Sequence, residues 1–258
     1  MNVQAKPAFT SSHARPYLRR IDRFPIRTYK SMVYVGCVIG TLAGAEVAGA
    51  EHLSLVRFVL ATTALLGAAF VGARLWFVVQ FAEAFRPDPR RIWRRSDGGA
   101  ALYGGLVGAL VASVPVLALA GLPFWAFWDA ASIGMLLGLI IGRMGCLMHG
   151  CCAGRPTMGP LGIWLPNHKR EWRRRFPTPI LESTWGTLVL ALALLARPSL
   201  ESPGALFALI AGGYATGRLI LEPTRESSDP GRTMGVNLAF SAALLVAALI
   251  FLGWAWLS

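Results

Sequence analysis

Residues 124–148 read "FWAFWDAASIGMLLGLIIGRMGCLM", a run in which Asp129 and Arg143 are the only charged residues. A helix of about 20 residues crosses the roughly 30 Å hydrocarbon core of a bilayer, so this run is long and apolar enough to do so. Lipid cannot hydrogen-bond to an open backbone, so a spanning segment of this kind has to be helical. The run therefore predicts a membrane helix with an arginine near one end.

Further apolar runs of similar length lie on both sides of this one. The predicted spans are 31–50, 54–81, 99–121, 124–148, 179–196, 204–222 and 234–256. The 258-residue chain has 55% hydrophobic and 15% charged residues, whereas soluble domains average about 25% charged residues. These observations predict an all-α, polytopic membrane protein with about seven transmembrane helices.

The segments between the spans indicate how the chain is organised. Residues 1–28 are basic and have no apolar core of the kind found in signal peptides. We expect a tail that is disordered or lies along the headgroups. Residues 29–258 are predicted to form the membrane domain, with a small irregular loop subdomain at 150–178. The net charge of +12 comes mainly from basic loops between apolar runs, which favours attraction to anionic lipid over binding to nucleic acid.

Two charged residues near span ends need no functional explanation. A charge in mid-membrane costs at least ~2.5–3.5 kcal/mol on insertion scales, so it needs a partner or a wet cavity. Arg57 and Asp129 lie near the ends of their spans, where we expect their side chains to extend to the interface.

Three arginines near the ends of the fourth and sixth spans predict an anion site. Arg143 and Arg218 each precede a basic loop by one or two turns and are expected to face one cavity. Arg218 and Glu222 are four residues apart, a spacing that allows them to pair on one helix face. Arg225 follows just beyond. Guanidinium groups suit phosphate oxygens, and the abundant phosphate in a bilayer is a phospholipid headgroup.

The segment after the fourth span, "GRMGCLMHGCCAGRPT", holds three of the four cysteines of the chain. Cys146, His149, Cys151 and Cys152 offer soft ligands for Zn or Cu(I). A second interpretation is a reactive thiol, because neighbouring arginines or a protonated His149 favour the thiolate. A third is that the cysteines pack as small apolar side chains at a helix end.

The order of six motifs resembles the bacterial prolipoprotein diacylglyceryl transferase family over nearly the whole chain after about residue 25. The motifs are "PIRTY", "GARLWFVV", "GGAALYGGLVG", "GRMGCLMHGCCAGRPT", "PTPILES" and "GRLILEPTRE". The resemblance implies a multi-pass protein of the bacterial plasma (inner) membrane, with no cofactor. It also implies transfer of the diacylglyceryl group of phosphatidylglycerol to the cysteine thiol of a lipobox-bearing preprotein, with release of glycerol phosphate.

The resemblance also assigns residues. Those implied in catalysis are Arg143, Arg218, Glu222, Tyr103 and Cys151. Those implied in phospholipid binding are Tyr29, Arg143, Arg155, Arg218 and Arg225. The chain departs from the family pattern where Cys146 and His149 replace asparagines, Cys151 replaces a glutamate and Tyr103 replaces a histidine. Two alternatives therefore stay open: a non-catalytic lipid-binding or structural subunit of a larger membrane complex, and a Cys/His metal or redox membrane protein.

The orientation in the membrane is predicted differently by two arguments. With seven spans, the tail and three basic loops share one side and carry most of the 25 Lys and Arg residues, whereas Arg57 and Arg197 lie on the other side. Such asymmetry normally places the basic side in the cytoplasm. The resemblance implies that this side faces the periplasm, and our expectation follows the resemblance.

Overall fold

The computed structural model of the chain describes residues 27–93, 101–150, 152, 154–167, 171–226 and 232–257. Within these residues seven long helices follow one another: α1 (Arg27–Ala50), α2 (Leu55–Gln80), α3 (Leu102–Ala120), α4 (Phe124–His149), α5 (Thr178–Ala196), α6 (Ala205–Leu221) and α7 (Arg232–Leu257). Each is long and apolar enough to cross a membrane. The predicted all-α, seven-span architecture is confirmed, while most of the predicted tail, residues 1–26, lies outside the described residues.

Shorter elements occupy the connections. The described residues include a single helical turn at Ala82–Phe85, 3-10 turns at Pro89–Trp93, Arg197–Ser199 and Glu222–Thr224, and strands β1 (Ile163–Pro166) and β2 (Trp172–Arg175). The two strands pair in antiparallel register, with Ile163 opposite Arg175.

Glycines let neighbouring helices approach until their backbones touch. A Cβ atom added to Gly36 of α1 would lie 2.7 Å from the carbonyl oxygen of Gly138 in α4. One added to Gly108 of α3 would lie 3.0 Å from the Cα atom of Gly72 in α2. Small residues permit this close approach, and van der Waals contact matters here because lipid provides no hydrophobic driving force for helix association. The core of the bundle, which includes Trp128, is packed around these contacts.

The alternation of helix direction divides the bundle into two ends. The end that gathers Tyr29, Tyr103, Arg143, Glu182 and Arg218 is called the polar end below. The end that carries the loop between α1 and α2 and the start of α6 is called the opposite end. The long 150–178 loop leaves α4 and enters α5 at the polar end, so it lies beside those side chains.

The 150–178 loop, predicted to be irregular, contains the β1–β2 hairpin in its described part. Arg175 at the end of β2 is fully buried, where it pairs with Glu226 at 2.8 Å and donates to the carbonyl oxygen of Gly154 at 3.3 Å. Gly154 also forms an isolated antiparallel bridge with Arg225. These long-range contacts fix the hairpin to the end of α6, which explains why local composition did not predict the two strands.

Asp129 binds the start of α6. Its carboxylate accepts hydrogen bonds from the backbone N–H groups of Gly204 at 2.6 Å and Phe207 at 2.7 Å. These groups belong to the first turn of α6 or immediately precede it, where backbone donors have no partner within the helix. The sequence did not predict this contact because Gly204 lies 75 residues away in the chain. The expectation that the Asp129 side chain extends to the interface stays a prediction.

Candidate active site

The carboxylate of Glu182, in the second turn of α5, is shared by three arginines at the polar end. Arg143 Nε lies 2.9 Å from Glu182 Oε2. Arg218 Nη1 and Arg225 Nη1 each lie 2.8 Å from Glu182 Oε1. Glu182 is buried, and a buried charge of this kind is tolerated only with close partners. The structure therefore brings Arg143, Arg218 and Arg225 together around one carboxylate.

Glu182 itself was absent from the residues selected from the sequence. It lies inside the predicted span 179–196, so the cost of a charge within lipid was an available signal. Arg218 lies in the last turn of α6, where positive charge is favourable.

Glu222 forms a second ion-pair centre beside Glu182. It pairs with Nη2 of Arg218 across one helical turn, as the spacing of the two residues predicted. Its other oxygen accepts a hydrogen bond from Asn237 Nδ2 of α7 at 2.7 Å. Arg218 is thereby held between two carboxylates, one from α5 and one at its own helix end. Together, the three arginines and two glutamates leave one positive charge in excess.

A small cleft lined by residues of α4, α5 and α6 lies beside this cluster. Its lining includes Glu182 and Arg218 together with apolar side chains such as Trp185. Tyr214, one turn before Arg218, also lines it, and its buried hydroxyl has no hydrogen-bond partner among the described residues. Arg218 Nε is likewise buried and without a hydrogen-bond partner in that part of the chain. The cleft therefore combines apolar walls with two buried polar groups beside the ion-pair cluster.

Two of the residues implied by the resemblance lie at the edge of the cluster. The ring of Tyr29 stacks on that of His149, with centroids 5.8 Å apart, so the start of α1 meets the end of α4. Arg155 is exposed and donates from Nε to the carbonyl oxygen of Arg225 at 3.1 Å. Its backbone N–H donates to the carbonyl oxygen of Thr224 at 2.8 Å. Arg155 thus lies beside the cluster without sharing the Glu182 carboxylate.

Tyr103 is buried inside the bundle rather than placed at an entrance to the site. Only 4% of its surface is exposed, and its hydroxyl shares a hydrogen bond with Ser241 Oγ of α7. Its ring also packs on Phe240, with centroids 4.8 Å apart. The residue therefore joins α3 to α7 near the polar end.

The cysteine cluster remains partly undefined. Cys146 is buried in α4 and Cys152 is half-buried, while Cys151 lies outside the described residues. Among the residues that are described, no three His, Cys, Asp or Glu side chains are arranged to hold a metal ion. The predicted Zn or Cu site therefore gains no support from the geometry. The burial of Cys146 fits the packing interpretation.

Comparison with known proteins gives one consistent result. The chain matches the family model for prolipoprotein diacylglyceryl transferase over residues 16–256. It is 28% identical to the phosphatidylglycerol–prolipoprotein diacylglyceryl transferase of Nostoc sp. (strain PCC 7120), covering 97% of this chain and 92% of that protein. It is 30% identical to the enzyme of that name from Chloroflexus aggregans, over 79% and 73% of the two chains. It is 29% identical to the enzyme of that name from Bacillus cereus (strain ATCC 14579), covering 90% of this chain and 89% of that protein.

The family match covers all seven helices and every arginine of the cluster. The resemblance drawn from six ordered motifs is confirmed. The chain belongs to the prolipoprotein diacylglyceryl transferase family.

Proposed function

We propose that this chain transfers the diacylglyceryl group of phosphatidylglycerol to the cysteine thiol of a lipobox-bearing preprotein in the bacterial plasma membrane. The observation that carries the proposal is the group of three arginines around Glu182 at one end of an apolar bundle. The phosphodiester of the donor lipid carries one negative charge, which matches the single positive charge in excess. Family membership and the names of the relatives support the choice of donor and acceptor.

The chemistry requires that charge be stabilised on the leaving group. The acceptor sulfur, as thiolate, forms a bond to the glyceryl carbon, and the bond from that carbon to the phosphate oxygen breaks. The electron pair leaves with glycerol phosphate, and the thiol proton passes to a base. Arg143 and Arg218 are placed to donate to the phosphate as its charge increases, which is where preorganised donors accelerate a reaction most. Glu182 and Glu222 hold those donors in position.

Other residues have supporting roles in this proposal. Arg225 adds a third guanidinium, and Arg155 and Tyr29 lie where they would meet the outer part of the headgroup. Tyr214 lines the cleft beside Arg218 and would add a hydroxyl donor next to the arginines. The roles implied for Tyr103 and Cys151 in catalysis stay predictions.

A transfer assay tests the proposal directly. The purified chain would be incubated with acyl-labelled phosphatidylglycerol and a lipobox peptide, and the peptide mass measured by mass spectrometry. We expect a mass increase of one diacylglyceryl group that depends on the peptide cysteine and is absent with phosphatidylcholine. Arg143→Ala should abolish it. Arg197→Ala is the matched control, because Arg197 pairs with Glu51 at the opposite end.

The same preparation separates this proposal from the alternative of a lipid-binding subunit. Retention of phosphatidylglycerol without any transfer to the peptide would favour that alternative. Absence of both retention and transfer would contradict a phospholipid function altogether.

We also propose that the polar end faces the periplasm. Met158, in the loop between α4 and α5, is 89% exposed and is suited to a single introduced cysteine. In a background lacking the four native cysteines, Met158→Cys should react with a membrane-impermeant maleimide in intact spheroplasts. Labelling only after lysis would place the polar end in the cytoplasm.

A further inference from the structure

Helix α7 is the most apolar of the candidate spans in the described residues, with a mean hydropathy of 2.3. Asn237 and Ser241 are nevertheless found in its first half. They are four residues apart and so share one face of the helix. A polar side chain in a membrane helix is costly and is commonly retained for a function or an interhelical contact.

Asn237 connects α7 to the arginine cluster. Its Nδ2 donates to Glu222 Oε1 at 2.7 Å. Its backbone carbonyl accepts a hydrogen bond from Ser241 Oγ at 2.8 Å, and Ser241 in turn bonds to the hydroxyl of Tyr103. Ser241 is fully buried and Asn237 is half-buried, so water has little opportunity to replace these contacts. The network runs from α3 through α7 to the carboxylate that holds Arg218.

The bond from Asn237 determines which atoms of Arg218 remain available. Because Asn237 occupies one oxygen of Glu222, only the other oxygen pairs with Arg218 Nη2. Nη1 of Arg218 is engaged by Glu182. If Glu222 were released from Asn237, it could turn to bind Arg218 through both oxygens, the geometry that carboxylates and guanidinium groups favour. Donors now open to an anion would then be directed towards Glu222.

We propose that Asn237 is a positioning residue of the phosphate site, acting through Glu222 on the orientation of Arg218. This inference rests on the proposed function, in which Arg218 contacts the phosphate of the donor lipid. Asn237 need not touch the substrate. It fixes Glu222 as a one-oxygen partner and so keeps the remaining Arg218 donors directed at the anion.

The test compares single and double variants in the transfer assay. Asn237→Leu keeps a similar volume but removes the amide, and we expect kcat/KM for phosphatidylglycerol to fall about tenfold, as for loss of one hydrogen bond to a charged group. Glu222→Gln should also lower it. The double variant should be no worse than the more impaired single variant, since both changes act on the same contact. Thr216→Val is the control, because the Thr216 hydroxyl donates to the carbonyl oxygen of Gly212 in its own helix, α6.

Multiplicative losses in the double variant would overturn the proposal, since Asn237 would then act independently of Glu222. Unchanged kinetics in Asn237→Leu would overturn it as well. Should the leucine variant not fold, Asn237→Asp takes its place. The introduced carboxylate faces Glu222, so we expect a loss of more than tenfold that again depends on Glu222.

A second measurement distinguishes failure of this proposal from failure of the proposed function. Retained phospholipid would be identified by native mass spectrometry in wild type and variants. If wild type retains phosphatidylglycerol but transfers nothing, loss of retention in Asn237→Leu still supports positioning, and undiminished retention contradicts it. If wild type neither retains the lipid nor transfers from it, both proposals fail together.

Discussion

Helix α4 carries one charged residue towards each end, and the two are accommodated in different ways. At the opposite end, Asp129 is bound by backbone N–H groups at and just before the start of α6. At the polar end, Arg143 is bound by a side chain, the carboxylate of Glu182, which also binds Arg218 and Arg225. Both arrangements lower the cost of a charge within an apolar bundle.

The difference separates a structural charge from a functional one. Backbone N–H groups that bind Asp129 are fixed in a helix, and they join α4 to α6 without presenting anything to a ligand. Guanidinium groups that bind Glu182 have five N–H donors each, and one carboxylate cannot occupy them all. The polar end therefore retains N–H donors and an excess positive charge. At Asp129, by contrast, backbone N–H donors at the start of α6 are already bonded to the carboxylate. Four predictions, taken from the largest expected effect to the smallest, test this distinction.

Glu182→Gln should have the largest effect, because it leaves three buried or half-buried guanidinium groups without their common counter-charge. Removing one partner of a buried ion pair costs about 3–5 kcal/mol. We expect a loss of this size in the free energy of unfolding in detergent, and loss of transfer. Glu171→Gln is the control, because Glu171 is exposed just before β2. A Glu182→Gln protein with wild-type stability would show that the cluster does not need its carboxylate.

Arg143→Ala and Arg218→Ala should each weaken the binding of anionic phospholipid by about 1.5–3 kcal/mol, as for loss of a charged hydrogen bond. Arg225→Ala should have a smaller effect, because its side chain is 20% exposed and its charge is better screened by water. Lipid retention can be measured by titration with phosphatidylglycerol in nanodiscs. Equal retention by wild type, Arg143→Ala and Arg218→Ala would remove the distinction between the two ends of α4.

Asp129→Ala should affect stability but not chemistry. Loss of a side chain that accepts hydrogen bonds from a helix N-terminus costs about 0.5–2 kcal/mol. We expect a lower temperature of unfolding, with kcat/KM unchanged at temperatures where the variant is folded. A selective loss of transfer by the folded variant would mean that Asp129 also serves the reaction.

Arg197→Ala should have the smallest effect. Arg197 Nη2 lies 2.9 Å from Glu51 Oε1, but the two side chains are 30% and 50% exposed. Ion pairs this exposed contribute about 0.2–1 kcal/mol. Thermal unfolding and transfer should both remain close to wild type. A marked effect would indicate that the link between α1 and α5 at this end matters more than its exposure suggests.

The features predicted correctly from sequence depend on local properties of the chain. Span length and apolar content identify α1–α7, and the four-residue spacing identifies the pair of Arg218 and Glu222. The sharing of Glu182 by three arginines depends on how α5 is placed against α4 and α6, which no local pattern specifies. The contact between Asn237 and Glu222 likewise joins two separate helices. The contact of Asp129 with α6 was not predicted for the same reason, since its partners belong to a helix far along the chain.

The placement of the ion pair also has a consequence for how the chain is made. Arg143 emerges from the ribosome well before Glu182, so α4 reaches the membrane without the carboxylate that later compensates its charge. An unpaired arginine costs about 2.5–3.5 kcal/mol at the centre of a span and less towards its end, and α5 removes the cost at Arg143 when it enters beside α4. Stable insertion of α4 is therefore coupled to the synthesis of α5. Nascent chains arrested between these two helices should be extracted from the membrane by alkaline carbonate more readily than chains that extend past Glu182.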